Sequence, residues 1–539
     1  MRVYREMKIS EIFYYLFWVI MIYAKGTGLY EGLREYNICL VLALCCLTVK
    51  LLLTRYRIAD LLWVVPAGVL SIWIYLHSHD QSALLLAALA IGIKDVKLSR
   101  VLKIGLVMWS ACFVFSVFRT FSGGYTGPVL VHEKFGLGPI IRWSLGFTHP
   151  NVLHITYVVI AALILYCWNL KPGRKKWKIS LILMVGNCYV FLYSISSTGF
   201  LLMTLLLFFN LYLANRKKIS LVEKLLLQCV LPFCLFFSLV LPVVVQEEGW
   251  FFTLVNKALN NRYLATRIYL TEMGISLFGE DIPNLFGFAV DCSYTEALLS
   301  YGLIAFVGIM AGYMLTIHDK IRNGRWQELA ILLALLVAGV SEPFLFNASF
   351  KNIIILFVGE YLYTSVCAAA GKKNDIWKKE IRLVSGLDRI IRLEQNDMRE
   401  LKMLIANSWI KCRRLLYGIG ALGAIICILA ALIFARRPDS IFIGVGSADC
   451  GEREEKYLDM QSLPDDFNSE VYEYPGPDGA MYEFSGTTTI VEYVRKIISA
   501  GVWGLLGVLA LEIVLLFLYA YYRSKNRLEI HIRIAEEKR

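Results

Sequence analysis

The chain repeats apolar runs long enough to cross a bilayer, and nothing else in it constrains the fold as much. A helix needs roughly 20 apolar residues to cover about 30 Å of hydrocarbon. Runs of this kind fall at 10–30, 36–53, 59–76, 81–94, 101–121, 150–170, 179–194, 198–214, 224–246, 294–316, 327–341, 352–370, 414–435 and 499–522. The runs 81–94 and 179–194 are short, so tilting or re-entry is expected there. Hydrophobic residues make up 58% of the sequence and charged residues 18%. Soluble domains hold nearer half and a quarter. So few charges cannot cover so much apolar surface, which excludes an ordinary soluble enzyme, a disordered regulator and a collagen-like fibre. The expected fold is an all-α polytopic integral membrane protein. It would have about 12 transmembrane helices in its core and about two more in a C-terminal extension with a small extracytoplasmic domain.

The net charge of +12 would suggest nucleic acid in a soluble protein. Among membrane spans it reports loop orientation instead. With the amino terminus inside, the inner loops carry Arg2, Arg5 and Lys8; Lys50, Arg55 and Arg57; Lys94, Lys97, Arg100 and Lys103. They continue with Lys171, Arg174 and Lys175; Arg216, Lys217 and Lys218; Lys320, Arg322 and Arg325. Short outer loops such as 77–80 and 194–198 carry no Lys or Arg. The alternation places both termini in the cytoplasm and leaves no role for nucleic acid as a partner. Residues 1–30 lack a small-residue cleavage site and are followed by further runs, so they read as a first span rather than a signal peptide.

Most of the thirteen cysteines lie inside apolar runs, where Cys behaves as a small hydrophobe. Cys292 and Cys450 lie outside them, far apart, and no C-x-x-C pair occurs. No metal site is expected.

Two outer loops are long, about 122–149 and 247–293, and a third outer segment spans about 437–498. Long loops in a compact helical protein are disproportionately functional. The first ends Arg142-Trp143-Ser144-Leu145-Gly146-Phe147-Thr148-His149-Pro150-Asn151. Thr148 or His149 can cap a helix that begins at Pro150. Arg142 and His149 beside a helix amino terminus also suit an anionic headgroup. The second loop holds Asn260-Asn261-Arg262-Tyr263-Leu264-Ala265-Thr266-Arg267. Its plain reading is an interfacial helix with snorkelling arginines. Its functional reading is a phosphate clamp, since Arg suits bidentate phosphate contact. Asp291-Cys292-Ser293-Tyr294 precedes the next span, and Ser341-Glu342-Pro343 stands near the next outer turn. Ser194-Ile195-Ser196-Ser197-Thr198-Gly199 allows close helix approach, or lines a polar path.

In this order these segments resemble the O-antigen and capsular polysaccharide polymerases (Wzy type), within the superfamily that includes the O-antigen ligases. The carrying strings are R-W-S-L-G-F-T-H-P-N at 142–151, S-I-S-S-T-G at 194–199 and N-N-R-Y-L-A-T-R at 260–267. They continue with L-F-G at 277–279, D-C-S-Y-T-E-A-L-L-S-Y-G at 291–302 and S-E-P-F-L-F-N at 341–347. The resemblance covers roughly residues 1–370. It implies a multi-pass glycosyltransferase of the bacterial cytoplasmic membrane that needs no cofactor, metal or nucleotide. Donor and acceptor would be undecaprenyl-pyrophosphate-linked glycans, with membrane lipid, a chain-length regulator and a flippase as partners. The product would be capsule, exopolysaccharide or O-antigen. Arg142, Arg262 and Arg267 match the outer arginines that would hold pyrophosphate as leaving group. Asn151, Tyr294 and Glu342 join Arg142 as substrate-binding candidates. Related ligases look to a His at the end of the second loop. Here Asp291 stands in that region, and the base stays open between Asp291, His149 and Glu342. The alternatives are a ligase-like glycan transferase and a non-enzymatic flippase or exporter. A flippase should carry charges deep within many spans, whereas here they concentrate at loops and span ends.

Beyond 370 the resemblance ends. Residues 371–413 are expected to form a cytoplasmic amphipathic linker helix. The extension 414–539 is expected to hold two spans around the acidic outer segment 437–498, with a basic cytoplasmic tail. Residues 471–484 are expected to form a β-hairpin.

Overall fold

The computed structural model describes residues 4–121, 129–133, 139–169, 175–214, 216, 218–259, 261–283, 285, 289–366, 375–382, 384, 388–394, 396–434, 440–446, 453–459, 473–475, 481–484 and 490–537. The chain is mostly helical and divides into two compact units, one of residues 8–128 and 144–389, the other of 1–7, 129–143 and 390–539.

The larger unit begins with α1 (Ile9–Gly26), α2 (Arg34–Leu53), α3 (Ile58–Ser78), α4 (Ser82–Gly92) and α5 (Leu98–Phe121). After the first long loop come α6 (Pro150–Asn169), α7 (Lys176–Ser194), α8 (Ser197–Ala214) and α9 (Leu221–Leu235). A π-turn at Phe236–Val240 carries α9 into α10 (Leu241–Val244). Two short helices, α11 (Trp250–Ala258) and α12 (Arg262–Glu272), occupy the second long loop. The unit closes with α13 (Ser293–Arg322), α14 (Trp326–Ala338) and α15 (Ile355–Tyr361), which ends in a π-turn to Val366.

Among the described residues, ten helices are long and apolar enough to cross a membrane, which makes this a multi-pass membrane protein. The ten include two in the smaller unit. Fourteen runs were expected; the difference lies in short elements such as α4 and α14. The 11 residues of α4 rise only about 17 Å. α14 is apolar all round and buried along almost its whole length, packed against α6, α8 and α9. Such a helix belongs inside the protein.

α13 is broken at Gly302, whose φ of 74° lies in the left-handed region. The freed backbone groups find partners in the loop before the helix. Leu303 N–H donates to the Ser276 carbonyl at 2.9 Å and Ile304 N–H to that of Leu277 at 3.3 Å. Gly279, with φ 83°, meets the Ser300 carbonyl from the other side. A broken helix at membrane depth needs such protein partners. Two of the quoted strings, 277–279 and 291–302, therefore interlock.

The larger unit runs on to residue 389. Residues 375–389 stay with the helical unit because β5 (Glu380–Arg382) pairs antiparallel with β2 (Arg55–Arg57). Asp388 also accepts from the backbone N–H and side chain of Ser10 at 3.0 and 3.1 Å. The linker expected as one helix over 371–413 is helical from Asn396 onward, while 380–382 and 390–394 before it are strands.

In the smaller unit, β1 (Tyr4–Lys8) pairs with β6 (Ile390–Glu394), and β3 (Val129–Glu133) pairs antiparallel with β4 (Pro139–Trp143). α16 (Asn396–Phe434) packs against α17 (Ile490–Glu537). Gly423 faces Val508 and Gly504 faces Cys427, contacts that small residues permit. β7 (Ser440–Gly446), β8 (Arg453–Asp459), β9 (Glu473–Pro475) and β10 (Met481–Phe484) form one sheet in the order β8-β7-β10-β9. The expected hairpin is the β9–β10 pair, with Tyr474 opposite Tyr482; Val471, Tyr472 and the turn lie outside the described residues. Short sheets thus accompany a mostly helical chain.

Candidate functional site

Arg262 is the first residue of α12, preceded by Asn261 in a left-handed conformation with φ 63°. Asn256 fixes this start: its Oδ1 accepts from Leu264 N–H at 2.9 Å, and its Nδ2 donates to Asn261 Oδ1 at 3.1 Å. The Arg262 guanidinium is largely buried and bridges two carboxylates. Its Nε lies 2.8 Å from Asp291 Oδ2, just before α13, and its Nη1 lies 2.9 Å from Glu342 Oε1, just after α14. Nη1 also donates to the Ser341 carbonyl. Burial works against the guanidinium charge, but Glu342 and Asp291 outweigh it and hold the proton affinity above the ordinary value.

Glu342 has a second partner, because Thr198 at the start of α8 donates to the same Oε1 at 2.6 Å. The Glu342 carbonyl accepts from Ser293 Oγ at 2.5 Å. The 194–199 segment thus does two jobs. Thr198 reaches Glu342, while Gly199 lies so close to His154 that an added Cβ would come within 2.5 Å of the ring. His154 itself is buried between Ser194 Oγ at 2.9 Å and Asn187 Oδ1 at 2.8 Å.

These residues border a chamber of about 490 Å³. Its walls include His149, Asn151, Arg262, Asp291, Glu342 and Lys351, together with Lys25 from the end of α1. His149 caps α6, its Nδ1 accepting from Asn151 N–H at 3.0 Å. Four separate sequence strings therefore meet in one cavity. Asp291 is the more open carboxylate, with its side chain 32% exposed against 5% for Glu342.

A second cavity, an apolar groove of about 790 Å³, runs between α8, α9 and α14. Leu205, Val230 and Phe233 are among its walls, and Leu201, Leu226 and Phe233 leave it open to the surface. Thr198 and Ser341 also line it. They are the residues that hydrogen-bond Glu342 and Arg262. Charged chamber and apolar groove thus share a wall.

Two sequence candidates of the larger unit stand elsewhere, and a third belongs to the other unit. Arg267 does not line the chamber: its Nη1 donates to the Val245 carbonyl at 2.8 Å, its Nε is 3.8 Å from Glu247, and its guanidinium lies over Phe252. Tyr294 is fully buried in α13 and donates to the Leu336 carbonyl at 2.6 Å. Arg142 belongs to the smaller unit, on β4, opposite Leu130 of β3.

Sequence reasoning placed Thr198 on a possible polar path, but pointed to no role for Lys25 or Lys351. Lys25 stands in the last turn of α1 and Lys351 shortly before α15. Among the described residues no group of three or more His, Cys, Asp or Glu side chains is placed to hold a metal ion. No protein-family model, curated protein or solved structure matches the chain.

Proposed function

We propose that this protein is a membrane glycosyltransferase that polymerises lipid-linked oligosaccharide repeat units. The observation that carries the reading is the wall shared by the charged chamber and the apolar groove at Thr198 and Ser341. An amphiphile with an anionic diphosphate head and a long isoprenoid tail matches that pair of spaces. The strings that resemble the Wzy-type polymerases supply the chamber walls, which favours this substrate class over other amphiphiles.

In the proposed reaction, a hydroxyl of the acceptor sugar attacks the anomeric carbon of the donor glycan. The new C–O bond forms as the bond from that carbon to the diphosphate oxygen breaks. Polyprenyl diphosphate leaves, and the hydroxyl proton passes to a carboxylate. Asp291 suits that role better than Glu342, because it is the more open of the two. Arg262 holds both carboxylates in place. His149, at the helix amino terminus, faces the same space and suits hydrogen bonding to the sugar. The reaction requires no nucleotide, since the diphosphate bond already activates the donor.

The test is reconstitution of the full chain in liposomes with a defined undecaprenyl-pyrophosphate repeat unit. Lengthening of the lipid-linked glycan supports the polymerase. Movement of the lipid between leaflets without lengthening discards it in favour of a flippase. Transfer to a different acceptor without lengthening discards it in favour of a ligase.

A further inference from the structure

We propose that Lys351 anchors the diphosphate group of the substrate within the chamber. Among the described residues, Lys25, Arg262 and Lys351 are the three Lys and Arg residues of its wall. The charge of Arg262 is met by Asp291 and Glu342. Lys25 has Glu31 at 3.9 Å and lies 4.1 Å from the centre of the Tyr36 ring. Lys351 is only 5% exposed, and its ammonium has no ion pair or hydrogen bond among the described residues. A lysine this deeply set without a partner for its charge is costly. A wall that holds one is built for an anion brought from outside.

The position of Lys351 is set by its neighbours. Phe350 takes a left-handed conformation with φ 62°, and its ring packs 5.8 Å from Phe17 and 5.1 Å from Trp18. On the other side, Asn352 donates to the Leu345 carbonyl at 2.5 Å and caps α15 by accepting from Ile355 N–H at 3.1 Å. Both flanking residues are buried, so the lysine is held between fixed points. The segment lies outside the membrane-spanning helices. Burial lowers the Lys351 proton affinity to about 7; Glu342 pulls it up and Lys25 pushes it down. Arg262, Asp291, His149 and Tyr30 complete the charged and titratable lining among the described residues. An anion beside Lys351 restores its charge. Lys binds phosphate as a point charge, which suits a headgroup that must leave after each transfer.

The identity of the anion rests on the polymerase reading; the presence of an anion site does not. A diphosphate is offered both by a lipid headgroup and by free pyrophosphate, and the experiment separates them. Equilibrium binding and thermal unfolding are measured on the full chain in detergent micelles, for wild type, Lys351→Met and Lys351→Arg. The probes are decaprenyl diphosphate, inorganic pyrophosphate and neutral decaprenol. We expect Lys351→Met to weaken decaprenyl diphosphate binding about tenfold or more, Lys351→Arg to recover part of it, and decaprenol to bind all three alike. Lys351→Met should unfold at the same or a higher temperature, since it removes an unpaired buried charge. Lys351-dependent binding of pyrophosphate identifies the free anion as sufficient; its absence identifies the lipid headgroup. Equal affinity of wild type and Lys351→Met for decaprenyl diphosphate overturns the proposal, as does an equal loss for decaprenol. Lost diphosphate binding in Lys351→Met, with no elongation by wild type, keeps the anchor and removes the polymerase. Elongation with unchanged affinity does the reverse.

Discussion

Thr198 donates a 2.6 Å hydrogen bond to Glu342, 144 residues further along the chain. The bond ties the start of α8 to the segment after α14 and marks the place where charged chamber and apolar groove meet. Thr198→Val keeps the volume and removes the donor to a charged acceptor, a loss of about 1.5–3 kcal/mol. Thermal unfolding in detergent should fall for Thr198→Val and stay near wild type for Thr198→Ser. Elongation should follow the same order. Equal behaviour of Val and Ser would show that the hydroxyl is dispensable.

Arg262 and Arg267 should part company. Arg262→Ala leaves Asp291 and Glu342 facing each other without a cation, and Glu342 is buried. Removing one partner of a buried pair costs about 3–5 kcal/mol. Arg262→Ala should therefore lose both stability and elongation. Arg262→Lys should recover stability in part but not the two-carboxylate bridge, which needs the planar fork. Arg267→Ala loses a bond to the Val245 carbonyl and a loose ion pair, roughly 1 kcal/mol. Its elongation should stay within a few-fold of wild type. An equal loss in both Ala variants would return Arg267 to the reacting centre.

The groove should matter only to substrates with long tails. Leu205→Trp adds bulk to its wall between α8 and α9. Its affinity for decaprenyl diphosphate should fall severalfold relative to farnesyl diphosphate, whose tail is much shorter. A matching loss for both lipids would separate the groove from tail binding.

Much of the chamber was legible because its walls come from loops that apolar runs delimit. His149, Asn151, Arg262, Asp291 and Glu342 stood in strings at run ends, and the fold brings those ends together. Lys25 was hidden because it lies inside the apolar run 10–30, and Lys351, just before the run that starts at 352, showed only as a charge near the outer turn. The separation of Arg267 from Arg262 depends on which carbonyls α10 leaves free, and spacing along α12 cannot supply that. Residues 380–382 read as linker helix because their strand partner, Arg55–Arg57, is more than 300 positions away. Gly279 and Gly302 were quoted as parts of separate strings, yet each needs the other element to satisfy its backbone.

That interlock makes a backbone prediction. Gly302→Ala would place a Cβ at φ 74° against the Gly279 backbone. Left-handed strain alone costs on the order of 1–3 kcal/mol, and the clash adds to it. Purified Gly302→Ala should be less thermostable than wild type, with greater protease sensitivity in residues 273–292. A substitution at Gly308, where no atom lies within 4 Å of an added Cβ, should have little effect. Equal stability of the two variants would mean that the break in α13 does not require glycine.

Lys351 gives a pH dependence of fixed sign. Its proton affinity is lowered by burial to about 7 from the ordinary lysine value of 10.5. Between those values the unfolded chain holds a proton that the folded chain does not, so stability rises with pH across that window. Below about pH 7 both forms are protonated, and the folded protein carries the full penalty of the buried charge. Each unit of lowering corresponds to roughly 1.4 kcal/mol. Lys351→Met has no such penalty. Its thermostability advantage over wild type should be largest near pH 6 and shrink steadily towards pH 10. Binding runs the other way in wild type: decaprenyl diphosphate should bind more tightly at pH 6 than at pH 9, because only the protonated amine attracts it. The pH dependence of binding should flatten in Lys351→Met, leaving mainly that of the terminal phosphate of the probe, which titrates at about pH 6. A stability advantage that does not change with pH, together with a binding profile equal to that of wild type, would mean that the Lys351 ammonium is neither strained by burial nor in contact with the anion.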